Sequence, residues 1–239
     1  MEYYRQGKEE ECETILKSCS EIDMSIVSKH YQLQAKDRIQ ILNALAYFYI
    51  MKGQREKNGH ARQGFLEKAL AALNHAEVIE KRDKPLHSMT FVGKGLFHLY
   101  QETPDIPKAQ SEFRNAWDVD NDNVLALLGL ANCRYANGDY AKAANHYRDA
   151  LRKKPDLSAD VRVGLGFCYY QLKKTEAAVA AFERALQIDG GNATAIAALA
   201  LLEMYGNEKT TTEGMERGLG HLTYAYGEIN TTLLLHLYI

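Results

Sequence analysis

The chain has 239 residues with a net charge of −2, 46% hydrophobic and 25% charged, proportions that exclude collagen-like and bulk-disordered classes. The near-zero charge lacks the clustered Lys and Arg of a nucleic-acid binder, and the longest purely apolar run, 195–202, is far short of the about 20 residues a membrane helix needs. Only four residues are proline; because proline breaks helix interiors, its scarcity favours long helices.

In chain order, no apolar stretch follows Met1-Glu2-Tyr3-Tyr4-Arg5, so no leader is expected. Residues 1–20 read as half of a helical repeat. Tyr3-Tyr4 would close a first helix, Gly7-Lys8 would turn, and Cys12, Leu16 and Cys19 would lie on one face of a second helix. Residues 38–85 read as a helix pair. The first helix is 38–52, with Ile41, Leu42, Leu45, Ala46 and Tyr49 at helical spacing. The second is 65–80, with Ala69, Leu73 and Ala76. An insertion at 53–64 separates them. Three further segments, 90–123, 124–157 and 159–192, start 34 and 35 residues apart, and another starts at 193.

A period of about 34 residues is that of the tetratricopeptide repeat, a pair of antiparallel helices. A small residue, an aromatic four later and an alanine three after that recur as Ala109/Phe113/Ala116, Ala143/Tyr147/Ala150 and Ala178/Phe182/Ala185. That spacing puts each trio on one helix face. The expected fold is all-α, a right-handed solenoid of tetratricopeptide helix pairs. Residues 193–230 read as a divergent repeat with an insertion near 207–213 and Gly218, Leu222 and Ala225 in its second helix. Residues 231–239 read as the start of a further repeat. Both ends lack the polar caps a solenoid needs, so a piece of a longer array is expected.

Gly93, Gly95, Gly129, Gly164 and Gly166 fall inside predicted first helices, where each costs roughly 1 kcal/mol against alanine. Close helix–helix approach is the expected compensation.

Several strings carry a more specific likeness. They are Tyr3-Tyr4-Arg5-Gln6-Gly7-Lys8, Arg38-Ile39-Gln40-Ile41-Leu42-Asn43-Ala44-Leu45, Phe91-Val92-Gly93-Lys94-Gly95, Ala126-Leu127-Leu128-Gly129 and Val161-Arg162-Val163-Gly164-Leu165-Gly166-Phe167-Cys168. Together with the two insertions they resemble the N-terminal repeats of the tetratricopeptide subunit of the RNA polymerase II-associated factor complex. That resemblance implies a nuclear scaffold that holds the other subunits of the complex. It would serve RNA polymerase II and chromatin indirectly, supporting transcription elongation, histone ubiquitination and histone methylation. A generic tetratricopeptide adaptor for another complex and a helical-repeat RNA binder are the alternatives.

No residue pattern points to catalysis. The eight histidines form no His-Glu-x-x-His pair, and Cys12, Cys19, Cys133 and Cys168 include no Cys-x-x-Cys. No cofactor, metal or small-molecule substrate is expected, and the cysteines suit a reducing compartment. Expected instead is a protein-binding concave face built from first-helix residues: Lys94, His98 and Gln101, then Asn132 and Tyr135, then Phe167 and Tyr170. These do not reproduce the Lys/Asn donor set of a chaperone-tail clamp. The basic insertion, with Arg55, Lys57 and Arg62, is a solvated loop or a contact for an acidic partner or for nucleic-acid phosphates. The cluster Arg148, Arg152, Lys153 and Lys154 is a helix-end charge pattern.

Overall fold

A computed structural model describes residues 8–20, 35–83, 87–205 and 220. Among them are ten multi-residue helices and no strand: α1 Glu9–Ser20, α2 Ala35–Arg55, α3 Gly59–Asp83, α4 Ser88–Tyr100, α5 Ile106–Val119, α6 Val124–Ala136, α7 Tyr140–Lys153, α8 Ala159–Gln171, α9 Thr175–Ile188 and α10 Ala193–Tyr205. This is the helical-repeat solenoid expected. The readings of Tyr3 to Gly7, of 207–213, of the Gly218/Leu222/Ala225 helix and of 231–239 lie outside the described residues. The chain divides into two compact units, Met1–Gly129 and Leu130–Ile239.

Short polar punctuation separates the helices. Asp105 caps α5, accepting a hydrogen bond from the Lys108 amide at 3.1 Å, and Pro107 occupies the first turn, where a missing donor costs nothing. Asp139 caps α7 in the same way through the Lys142 amide. Asn123 and Asn192 accept from the amides of Ala126 and Ala195, so the same residue type opens α6 and α10. In the turn before α7, Gly138 has φ +76; at the matching place before α9 stands Lys173 with φ 60. That left-handed conformation favours glycine, and Lys173 adopts it despite carrying a Cβ.

In the first unit the core is Ile39, Leu42, Leu45, Ala46, Phe48 and Ile50 of α2 against Leu66, Ala69, Leu73 and Ala76 of α3. The segment 53–64, expected as an inserted loop, is largely helical. α2 runs on to Arg55 and α3 begins at Gly59. Gly53 is buried beside Phe65 and Leu66, and the Asn58 side chain caps α3 by accepting from the His60 and Ala61 amides. The extra residues therefore lengthen two packed helices. A buried polar trio ties three helices: Thr90 donates to Glu80 at 2.5 Å and accepts from the Asn43 amide at 3.0 Å.

α1 docks on α2 through Cys12 and Leu16 and through Glu13. Glu13 accepts from Lys52 at 2.9 Å and Lys17 at 2.7 Å, and from the Tyr49 hydroxyl at 3.3 Å. Partial burial works against its charge, but the lysine hydrogen bonds outweigh it and hold the carboxyl at about 2. A lowered folded-state value means this contribution is complete above the unfolded value of about 4.5 and is lost as pH falls towards 2. Helical circular dichroism followed through urea unfolding between pH 5 and 2 should therefore show a wild-type loss of stability that is smaller in Glu13→Gln. Parallel pH profiles for the two proteins would show that Glu13 has no such role.

The first-helix glycines are explained by contact. Counted from the helix starts Ser88, Val124, Ala159 and Ala193, which are 36, 35 and 34 residues apart, the sixth position is Gly93, Gly129, Gly164 and Ala198. The eighth is Gly95, Ala131, Gly166 and Ala200. A Cβ on Gly93 would stand 2.6 Å from Leu73, and one on Gly164 would stand 2.8 Å from the Tyr147 ring; a Cβ on Gly129 would strike Phe113. At each sixth-position glycine, then, the large residue of the preceding second helix presses in. At the eighth position the large residue belongs to the helix's own pair: a Cβ added to Gly95 would stand 2.7 Å from Phe113, and one added to Gly166 would stand 2.5 Å from Phe182. One ring is thus sandwiched between two first helices, and the close approach offsets the helix-propensity cost.

Candidate protein-interaction surface

In the second unit, α6 and α8 place Asn132 with Phe167, and Tyr135 with Tyr170, at equivalent positions. Their environments differ. Asn132 accepts a hydrogen bond from the Tyr147 hydroxyl, whose ring is buried and whose ionisation burial suppresses. The Tyr135 ring meets Tyr140 edge-on at 5.2 Å, and burial also raises its hydroxyl pKa. Phe167 packs edge-on against Phe182 at 5.3 Å and leans on the core of this unit. Tyr170 is 46% exposed, with the Lys173 ammonium 5.9 Å from its ring centroid. The first helices of this unit thus carry an amide, a phenylalanine and two phenols at equivalent positions, with the Lys173 ammonium near the exposed Tyr170 ring. Such a set of side chains can accept the flat faces and backbone amides of a partner segment.

The first unit departs from expectation. The repeat expected to start at Thr90 starts at Ser88, and its turn runs over the five residues 101–105 where the later turns have three. The positions equivalent to Asn132 and Tyr135 on α4 are therefore Leu96 and Leu99, not His98 and Gln101. Lys94 is held by Glu77 of α3 at 2.6 Å and is only 13% exposed. Hydrogen bonds from Lys94 and Lys81 keep the Glu77 carboxyl below its usual range. His98 is half-buried and shifted down by that burial, with its backbone carbonyl accepting from the Asp105 amide at 3.0 Å. Gln101 follows the last residue of α4 as its C-cap. Lys94 ties α4 to α3, while the face equivalent to that of the second unit is aliphatic.

The three basic residues of 53–64 are separated. Arg55 is the last residue of α2, and Lys57 is exposed in the short link. Arg62, expected in a free loop, lies in the first turn of α3 and donates to the Tyr100 carbonyl at 2.8 Å. It satisfies an orphan acceptor at the end of α4. That long-range bond has no local signal in the sequence, since Tyr100 lies 38 residues further on.

Among the described residues no group of three His, Cys, Asp or Glu comes together as a metal site, and no helix is long and apolar enough to cross a membrane. Cys133 and Cys168 are fully buried, and burial pushes both thiols up to about 12. At neutral pH they are protonated and inert.

Comparison with known proteins agrees with this geometry. Two family profiles, each described as tetratricopeptide repeat, match residues 94–158 and 134–202. The chain is 32% identical over 94% of its length to the "Protein CTR9 homolog" of Arabidopsis thaliana, and 29% identical over 84% of its length to the "RNA polymerase-associated protein CTR9" of Caenorhabditis elegans. It spans only 20% and 17% of those relatives. Among solved structures, a signal-transduction ATPase with a tetratricopeptide-repeat sensor from Pyrococcus horikoshii superposes with a TM-score of 0.65 at 17% identity, over 98% of this chain and 37% of that one. The last likeness is one of fold.

Proposed function

We propose, from the premise that this chain is a tetratricopeptide-repeat protein homologous to CTR9, that it is a non-catalytic scaffold of a nuclear RNA polymerase II-associated complex. The observation that carries the reading is the extent of the CTR9 similarity, 94% of the chain, on a fold whose first helices present side chains for docking. Its partners would be other subunits of the polymerase-associated factor complex, with RNA polymerase II and chromatin reached through them. In that setting it would support transcription elongation, histone ubiquitination and histone methylation without performing any of that chemistry. Tyr135 and Tyr170 are the residues favoured for direct contact, with Phe167 packed against the core of the unit. Lys94 and Arg62 support the helices instead.

The test is capture from nuclear extract on the immobilised full chain, followed by mass spectrometry. Recovery of polymerase-associated factor subunits is expected, reduced several-fold by Tyr135→Ala/Tyr170→Ala. Recovery of chaperones alone, or of nothing above a blank support, would overturn the reading.

A further inference from the structure

The buried trio of the first unit has a shortage of protons. Asn43 of α2, Glu80 of α3 and Thr90 of α4 are 4%, 4% and 1% exposed, so water cannot make up for a missing partner. Thr90 is the hub. Its Oγ1 stands 2.5 Å from Glu80 Oε1, 3.2 Å from Asn43 Oδ1 and 3.0 Å from Asn43 Nδ2. A hydroxyl carries one proton and two lone pairs. The Asn43 N–H can donate to one lone pair. With Glu80 ionised, the other two contacts are both to acceptors, and one proton cannot serve both. The charged carboxylate is the stronger acceptor, so the Asn43 carbonyl is the group left without a donor, which is costly in a closed site. A proton on Glu80 removes the conflict. The carboxyl O–H then donates to Thr90, the Thr90 hydroxyl donates to Asn43 Oδ1, and all three contacts are made at once.

The charges around the trio are otherwise engaged. Lys94 of α4 and Lys81 of α3 both pair with Glu77, at 2.6 and 3.0 Å, and among the described residues no ion pair includes Glu80. Burial is the largest influence on the Glu80 carboxyl and disfavours its charge, as does Glu77; the Thr90 hydroxyl, the His87 backbone amide at the start of α4 and the Lys94 charge favour it. The balance lies above the ordinary 4.5. From α2 the facing group is the neutral Asn43 amide. The His87 imidazole is half-buried and is kept below its usual range by that burial and by Lys36 of α2, so it is uncharged near neutral pH.

We propose that Glu80 is a proton-operated latch among the helices of the first unit: ionised, it takes the Thr90 proton and ties α3 to α4; protonated, it gives that proton up to Asn43 and ties α2 to α4 as well. A carboxyl whose folded-state value is raised contributes stability that is complete below the unfolded value of 4.5 and is lost as pH rises through the folded value. Mild acidification therefore tightens the first unit, in a range where the Glu13 contribution is already complete. The latch belongs to this chain alone and stands or falls apart from the scaffold reading.

The test is a carbon-13 NMR titration of the full chain labelled at its glutamate carboxyls, in which the Glu80 signal is the one missing from Glu80→Gln. That signal should titrate above 4.5, while the Glu13 signal titrates at about 2. Burial alone would raise the Glu80 midpoint without regard to Asn43, so Asn43→Leu separates the two causes. Leucine keeps the site closed but removes the acceptor that competes for the Thr90 proton, and the midpoint should fall. Urea unfolding gives a second readout, which decides if Asn43→Leu does not fold. In Glu80→Gln the side-chain amide is a permanent donor to Thr90, so this variant should unfold at higher urea than wild type at about pH 7.5, and the gap should close by about pH 5. A Glu80 midpoint at or below 4.5, a midpoint unmoved or raised by Asn43→Leu, or urea midpoints of wild type and Glu80→Gln that run parallel with pH would each overturn the latch.

Discussion

Phe113→Ala is expected to lower the unfolding free energy by about 3–5 kcal/mol, the range for a fully buried phenylalanine truncated to a methyl. Phe113 is 0% exposed. Its ring is the wall against which both Gly95 and Gly129 are laid, so truncation opens a void between two helix pairs that neither glycine can fill. In a repeat array each pair leans on its neighbours, and the loss should appear as an earlier urea transition. Phe182, 1% exposed against Gly166, should fall in the same range. His60→Ala, exposed in the first turn of α3, should change stability by less than about 0.5 kcal/mol. Similar midpoints for the Phe113 and His60 variants would refute the packing described.

Gly129→Ala is expected to destabilise by about 1–3 kcal/mol, the usual cost of overpacking, although alanine is the better helix former by about 1 kcal/mol. The sign follows from what stands in the way. The Phe113 ring has little room to retreat from a new methyl because the Gly95 backbone lies against its other side, so close that a Cβ added there would stand 2.7 Å from the ring. Gly64, inside α3, has nothing within 4 Å of its Cβ position, and Gly64→Ala should gain about 0.5–1 kcal/mol. Opposite signs for the same substitution in two helices is the distinguishing result. Shortening the ring with Phe113→Leu should recover part of the Gly129→Ala loss, a coupling that a double-mutant cycle measures. Additive losses would show that the two residues do not touch.

Much of the fold was legible because it rests on short-range pattern. The Ala/aromatic/Ala spacing located α5, α7 and α9, and the off-consensus glycines foretold the close approach of the first helices. What escaped was set by lengths and distances that local pattern does not report. Two extra residues in the turn before α5 shift the register of α4, so that Leu96 and Leu99, and not the expected His98 and Gln101, stand at the helix positions of Asn132 and Tyr135. The segment 53–64 read as an insertion between two helices because it has no counterpart in the other repeats. Gly53 is instead a packing site, Asn58 is a helix cap, and Gly64 sits exposed enough in a helix to need no reason. Lys94 and Arg62 looked available because their partners, Glu77 and the Tyr100 carbonyl, come from other helices. In the second unit the turns have the ordinary three residues, so the register counted along the sequence puts Asn132 with Phe167 and Tyr135 with Tyr170 at equivalent helix positions, as the helix starts do.

A ring shared by two first helices also changes where the chain may be cut. The sequence repeat is written as a first helix followed by its second, and contact within that pair is the more extensive, but the sandwiching of Phe113 and the cups at Gly93 and Gly164 make the second helix and the next first helix closely packed as well. A shortened form ending in the link after α5 would keep a whole sequence repeat yet leave one face of Phe113 to water. Extending it through α6 would restore that cover. Deletions in this array should therefore be planned to end after a first helix, out of step with the repeat as read along the chain.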